Sequence, residues 1–123
     1  MHTFMPDTQH IHVASGYDVV LVRQHVRQMA RDSGFTLPLQ ARMTAVVSEI
    51  ARMALDHHWN ADFTFRRITH RGHNEIEVLC RSDCMRRDQE SVASLLHDVQ
   101  ALIGDGTLVV NQHIGQLTIR FHA

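Results

Sequence analysis

Apolar residues recur at Met43, Val46, Val47, Ile50 and Ala54 within PLQARMTAVVSEIARMALDHH, residues 38–58. That i, i+3, i+4, i+7 spacing predicts a helix with one buried face. Glu49 and Met53 fall one turn apart at the margin of the stripe, with Asp56 beside them and Arg52 turned towards solvent. A carboxylate there can face a cleft. An earlier helix is predicted over residues 17–33, with Val19, Val22, Val26, Met29 and Ala30 on one stripe and Arg23, Gln24, Arg27 and Arg31 on the other side. Ser15 or Asp18 supplies its cap, and Gly34 ends it as a C′ glycine. Before it, His10, His12 and Ala14 alternate with Ile11 and Val13 over residues 8–15, a half-buried strand suited to a sheet edge. Residues 1–7 carry no periodicity and read as a loose terminus.

After Trp59 and Asn60 the period becomes two. Phe63, Phe65 and Ile68 predict a strand over residues 62–70, residues 70–74 a hairpin loop, and Ile76, Val78 and Cys80 a return strand over 76–82. Helical spacing returns over 89–103 through Val92, Leu95, Leu96, Val99, Leu102 and Ile103, and Gly104 ends it. Two last strands, 107–111 and 116–122, flank a turn at His113-Ile114-Gly115. The order β-α-α-β-β-α-β-β, with hairpins rather than βαβ crossovers in its second half, predicts an α+β two-layer sandwich. In it, helices pack on one face of a mixed, mostly antiparallel sheet. No repeat or linker divides the 123 residues, so 1–123 reads as one domain.

Ser48-Glu49-Ile50-Ala51-Arg52, reached through Gln40-Ala41-Arg42 and Thr44-Ala45-Val46-Val47, resembles the N-box helix of the GHKL (Bergerat-fold) ATPase superfamily. The resemblance is to its small serine/threonine-kinase-type anti-sigma and switch regulators, which share the order of an arginine-rich helix, a glycine-phenylalanine turn and then the N-box helix. By element order it spans about residues 10–122, and by wording about 17–58. It implies that Glu49 is the catalytic base wherever activity survives. The family's magnesium-holding asparagine falls at Met53, whose thioether is a weak acceptor where magnesium wants hard oxygens. Asp83, in Cys80-Arg81-Ser82-Asp83-Cys84-Met85-Arg86-Arg87, takes the place of the adenine-binding aspartate with a one-residue shift. Neither glycine of the family's Asp-x-Gly-x-Gly loop is present to let backbone approach a ligand. No glycine lies between Asp88 and Leu96, and the helix is read as following the strand directly, so the glycine-rich phosphate lid is lost as well.

The resemblance therefore implies a partner-switching regulator of bacterial stress or sigma-factor signalling that acts by protein binding, with ATP binding and kinase activity lost or strongly reduced. Asp83, Met53 and Arg52 would mark a vestigial nucleotide cleft, and Met53, Met85 and Cys84 would line it with adaptable apolar surface. The implied partners are a STAS-domain antagonist and either a sigma factor or a phosphatase. Arg23, Arg27, Arg42 and Asp56 would contact them, and a homodimer is compatible with this reading. No cofactor is expected. The alternative is an active serine/threonine protein kinase that phosphorylates the STAS-domain partner with ATP and Mg2+, using Glu49 as base and Asp83 for adenine.

Composition changes this picture little. A formal charge of −1 with basic residues spread along the chain gives no nucleic-acid footprint. There is no apolar run of eighteen residues, and the N-terminus lacks the basic and apolar regions of a signal peptide, so no membrane association is expected and a cytoplasmic protein is. Cys80 within a strand and Cys84 past its end are more than about 10 Å apart at about 3.3 Å per residue, which leaves both as thiols. Eleven histidines raise a third reading, a small metal-binding protein. His10 and His12 share a strand face, His57 and His58 are adjacent, and zinc accepts imidazole and thiolate. No Cys-x-x-Cys or His-x-x-x-His pair occurs, so no metal ligand is assigned.

Overall fold

A computed structural model describes residues 8–104, 107–111 and 114–122. The expectations for residues 1–7 and for His113 lie outside the described residues. The elements are β1 (Thr8–Val13), α1 (Gly16–Asp32), α2 (Leu37–Asp56), β2 (Ala61–His70), β3 (His73–Arg81), a 3₁₀ turn (Cys84–Arg87), α3 (Gln89–Ile103), β4 (Thr107–Asn111) and β5 (Gln116–His122).

Local chemistry explains most of the boundaries. Ser15 caps α1 in a capping box, accepting from Asp18 N–H while the Asp18 carboxylate accepts from Ser15 N–H at 3.0 Å. Gly34 (φ 78) closes the helix, with Phe35 N–H reaching Ala30 O at 3.0 Å and Gly34 N–H reaching Arg31 O at 3.1 Å. Thr36 caps α2, and Pro38 sits in its first turn where its missing N–H costs nothing. Strand β1 ends at Val13, two residues earlier than its alternation suggests, because the backbone N–H of Ala14 turns to the Asp18 carboxylate at 2.9 Å. The β2–β3 loop is tighter than the 70–74 reading: Arg71 (φ 52) and Gly72 (φ 80) alone make the reversal, so pairing runs on to His70 opposite His73.

The sheet order is β1-β2-β3-β5-β4, and all four pairings are antiparallel. The mixed sheet expected from the sequence is corrected accordingly: each neighbouring pair runs in opposite directions, and no parallel pair occurs among the described residues. Registers place Phe63 opposite Cys80 and Cys80 opposite Leu117, Phe65 opposite Val78 and Val78 opposite Ile119, and Ile76 opposite Phe121. These side chains are buried and share one core with Val22 and Val26 of α1, Met43, Val46, Val47 and Ile50 of α2, and Leu95 and Val99 of α3. Helices therefore cover one face. The other face is polar, and Arg66 and Arg120 both reach Glu77 across it, at 3.1 and 2.9 Å. Among the described residues, no helix is long and apolar enough to cross a membrane.

One close approach ties the β4–β5 turn to the end of β3. Gly115 (φ 65) lies so near Ser82 that a β-carbon on it would sit 2.1 Å from the Ser82 carbonyl oxygen. Ser82 N–H donates to Gly115 O at 2.9 Å. Gly115→Ala should cost more than about 2 kcal/mol, combining a left-handed backbone with a backbone clash. Gly72→Ala, which meets only open space, should cost about 1 kcal/mol. Urea unfolding midpoints of the two variants check the order, and equal costs would contradict the close approach.

Candidate functional site

Helix α2 holds Glu49 at the edge of its buried stripe. The Glu49 side chain is 27% exposed, and its carboxylate takes a charged hydrogen bond from Arg52 one turn on. Met53 is half-buried and packs on the core, and Asp56 is exposed on the last turn. Asp83 is exposed at the start of the 3₁₀ turn and makes no capping bond. Among the described residues, no hydrogen bond or ion pair joins Asp83 to Glu49 or Arg52.

Two further expectations are corrected here. The helix does not follow the β3 strand directly, because Cys84–Arg87 makes an intervening 3₁₀ turn. Met85 does not line a cleft: that turn folds it inward to full burial, and its N–H donates to Ser82 Oγ at 3.2 Å. Cys84 stays exposed and Cys80 buried, both as free thiols. Burial pushes the Cys80 thiol up to about 12, so it carries no thiolate near neutrality.

The 3₁₀ turn belongs to a junction assembled from four segments. Helix α2 ends with His58 in the left-handed region (φ 53), and Trp59 N–H returns to Ala54 O at 2.9 Å. That reversal drops the Trp59 indole into the core, where its Nε1–H donates to Asp88 Oδ2 at 2.8 Å. The other Asp88 oxygen accepts from Ser91 N–H at 3.3 Å and caps α3. Ser82 Oγ donates to the Trp59 carbonyl, and Ser82 N–H holds Gly115. The indole, followed by Ser91, holds the Asp88 carboxyl below the usual carboxylate range. A helix N-terminus carries orphan N–H groups and partial positive charge, the setting in which phosphates bind. At α3 that setting is taken by the chain's own carboxylate.

His57, Asp88 and Ser91 have the residue types of a hydrolytic triad but not its geometry. Ser91 Oγ lies 3.1 Å and Asp88 Oδ2 3.8 Å from the same ring atom, Nδ1 of His57. A proton relay needs serine and carboxylate on opposite ring nitrogens. The cluster instead joins the end of α2 to the start of α3.

A second polar cluster sits where β1 meets β2 on the open sheet face. His12 Nδ1 lies 2.7 Å from Asp62 Oδ1, and its Nε2 lies 2.7 Å from Asn60 Oδ1. Oxygen acceptors at both nitrogens favour the imidazolium, and the Asp62 bond and then the Asn60 bond raise the His12 pKa. Among the described residues no group of three or more His, Cys, Asp or Glu side chains converges as a metal site.

The basic residues expected to contact partners separate in the structure. Arg42 packs over the C-terminus of α3, so that a β-carbon at Gly104 would meet its Nη1 at 2.3 Å. A cation there complements the helix dipole. Arg23 is exposed on α1. Arg27 lines a groove of about 580 Å³ between α1 and β1, together with Arg31, Gln24, His25, Gln9 and Ile11. A smaller groove of about 260 Å³ is lined by Val13, Ala14, Ala54, Leu55, His58 and Asn60. Sequence reasoning missed the Trp59–Asp88 bond and the His12–Asp62 pair, since each spans tens of residues. Only the Asp-x-x-Ser spacing of Asp88 and Ser91 carries a local signal for the α3 cap. No protein-family model and no curated protein matches this chain.

Trp59→Phe removes the indole donor and part of the buried ring system, so urea midpoints should report a loss of more than about 1 kcal/mol at neutral pH, the lost hydrogen bond and the cavity adding. Because folding lowers the Asp88 pKa, its contribution is present above the unfolded carboxylate value and disappears as pH falls through the folded one. The gap between wild type and variant should therefore narrow below about pH 4. His12 has the opposite sign, its contribution being full below about pH 6.5 and lost as pH rises through its raised folded value. NMR titration should place the His12 midpoint above about 6.5, and Asp62→Asn should bring it down; an unchanged midpoint would contradict the pairing.

Proposed function

We propose that the chain is a regulatory protein of the GHKL partner-switching type that acts by binding a protein partner, with ATP binding and kinase chemistry lost. The observation that carries this reading is the closure of α3: the Asp88 carboxylate, held by the Trp59 indole, caps the helix start to which the resemblance assigns the phosphates. Three further features support it. Met85 fills the core at the place of the glycine-rich loop, Met53 stands at the metal-ligand position, and the Glu49 carboxylate is paired with Arg52. The element order β-α-α-β-β-α-β-β, with helices on one sheet face, is the order that the resemblance implies.

On this reading a STAS-domain antagonist is the implied partner, with a sigma factor or phosphatase as the second, and the exposed arginines of α1 provide contacts. The cell compartment is the cytoplasm. Asp56 remains an exposed contact residue, whereas Arg42 has a structural role at the end of α3.

Calorimetric titration with a non-hydrolysable ATP analogue and magnesium should give no heat, and millimolar nucleotide no thermal shift. Micromolar binding would overturn the loss of nucleotide and favour the active-kinase alternative. Transfer of phosphate to a STAS-domain partner, abolished by Glu49→Ala, would then establish that alternative.

A further inference from the structure

The groove between α1 and β1 has features that the nucleotide question does not use. Strand β1 stands first in the sheet order and pairs only with β2 among the described residues, so its outer row of backbone N–H and C=O groups is open. Such edges are usually blunted by proline, lysine, a bulge or a cover. Residues 8–13, TQHIHV, contain neither proline nor lysine, and their register with β2 is unbroken.

Gln9 and Ile11 lie opposite Phe65 and Phe63 and so point to the helix side of the sheet, where they line the groove. Ile11 and Leu21 give it apolar surface. Gln9, Gln24, Gln28, Arg27 and Arg31 surround that surface with donors. The lining holds two guanidinium groups and no carboxylate, and among the described residues neither Arg27 nor Arg31 has an ion-pair partner. His25, whose ring meets Phe65 edge-on at 4.8 Å, also lines it and has a buried Nε2 with no partner among the described residues.

Spacing narrows the occupant. Arg27 and Arg31 are one i, i+4 step apart on α1, about 6 Å along the helix axis. Alternate residues of a β-strand, which point to the same face, are about 6.6–6.8 Å apart. The two-residue link from Val13 to Gly16 turns α1 back along β1, bringing Arg31 near the start of the strand. Carboxylates at i and i+2 of an added strand therefore match the two arginines, while the strand's backbone completes the open edge. This is peptide recognition by strand addition, in which the main chain supplies affinity and alternate side chains supply specificity.

We infer that the β1 edge and the α1 groove form a docking site for an extended acidic segment of a protein partner, one that adds a strand to β1 and sets alternate carboxylates on Arg27 and Arg31. The inference rests on the protein-binding reading above and names its surface.

The test is an NMR titration of the full chain with a six-residue acetylated peptide alternating valine and glutamate, beside the same peptide N-methylated at alternate amides on each edge and a valine-lysine version. Amide shifts should concentrate in residues 8–13 and on α1. N-methylation of the pairing edge should abolish binding, the lysine version should not bind, and Arg27→Glu or Arg31→Glu should weaken binding at least tenfold. Arg87→Glu, outside the groove, should leave it unchanged. Four outcomes would overturn the site: no binding at millimolar peptide, shifts elsewhere, binding indifferent to N-methylation or to the two arginines, or sedimentation of the free protein as a dimer with residues 8–13 protected from exchange. Any of these, with nucleotide still not bound, removes this surface and leaves the regulatory reading standing. Nucleotide binding overturns that reading instead.

Discussion

Burial of one sheet face against three helices is the constraint on which the other features rest. Phe63, Phe65, Val78, Cys80, Leu117, Ile119 and Phe121 all lie at inward positions of their registers, and each is buried. Since side chains alternate with period two, a one-residue slip of any strand would turn this set to solvent and bring Asp62, Glu77 or Arg120 into the core. Full burial of an aromatic side chain is worth about 2–3 kcal/mol, so the three phenylalanines alone weigh heavily against a slip. The same parity leaves the opposite face polar. Arg66 and Arg120 there are half-exposed and pair with one largely covered carboxylate, Glu77, and solvent screening of the two guanidinium groups keeps the contribution to stability modest.

A second constraint acts where the layers meet at one end. Trp59 is too large to leave the core without exposing its indole, yet it carries one donor that burial would orphan. Asp88 answers that donor and spends its other oxygen on the first turn of α3. One carboxylate thus joins α2, through the reversal at His58, to α3. Ser82 joins β3 to the same knot and to the β4–β5 turn. A phosphate at the start of α3 would have to displace a carboxylate bonded on both sides.

Two regions of the molecule accordingly differ. Along α2 and α3, polar groups meet their partners inside the chain: Asp88 with Trp59 at the start of α3, Glu49 with Arg52 on α2, and Arg42 with the far end of α3. Along the α1–β1 groove they do not: Arg27 and Arg31 lack ion-pair partners among the described residues, and the edge of β1 is open. Unfilled bonding capacity marks surface that another molecule can complete, and the lining of this groove includes none of Glu49, Met53 and Asp83.

The elements and their inward faces were legible in the sequence because each rests on short-range chemistry. The 3.6-residue stripe of Met43, Val46, Val47, Ile50 and Ala54, the alternation of Phe63 and Phe65, the Ser15 cap and the Gly34 stop all act within a few residues. Met53 and the Asp83 loop, where the sequence departs from the GHKL pattern that it resembles, are residue identities read from the sequence alone. Tertiary structure decided the rest. It made every strand pairing among the described residues antiparallel, folded Met85 inward, turned the 70–74 loop into a two-residue reversal at Arg71 and Gly72, and brought Trp59 to Asp88 across 29 positions. It also left Arg27 in a groove while committing Arg42 to a helix end. Periodicity records which face of an element is buried, but which groups then meet depends on how the layers stack, and that is set by the packing of the whole core.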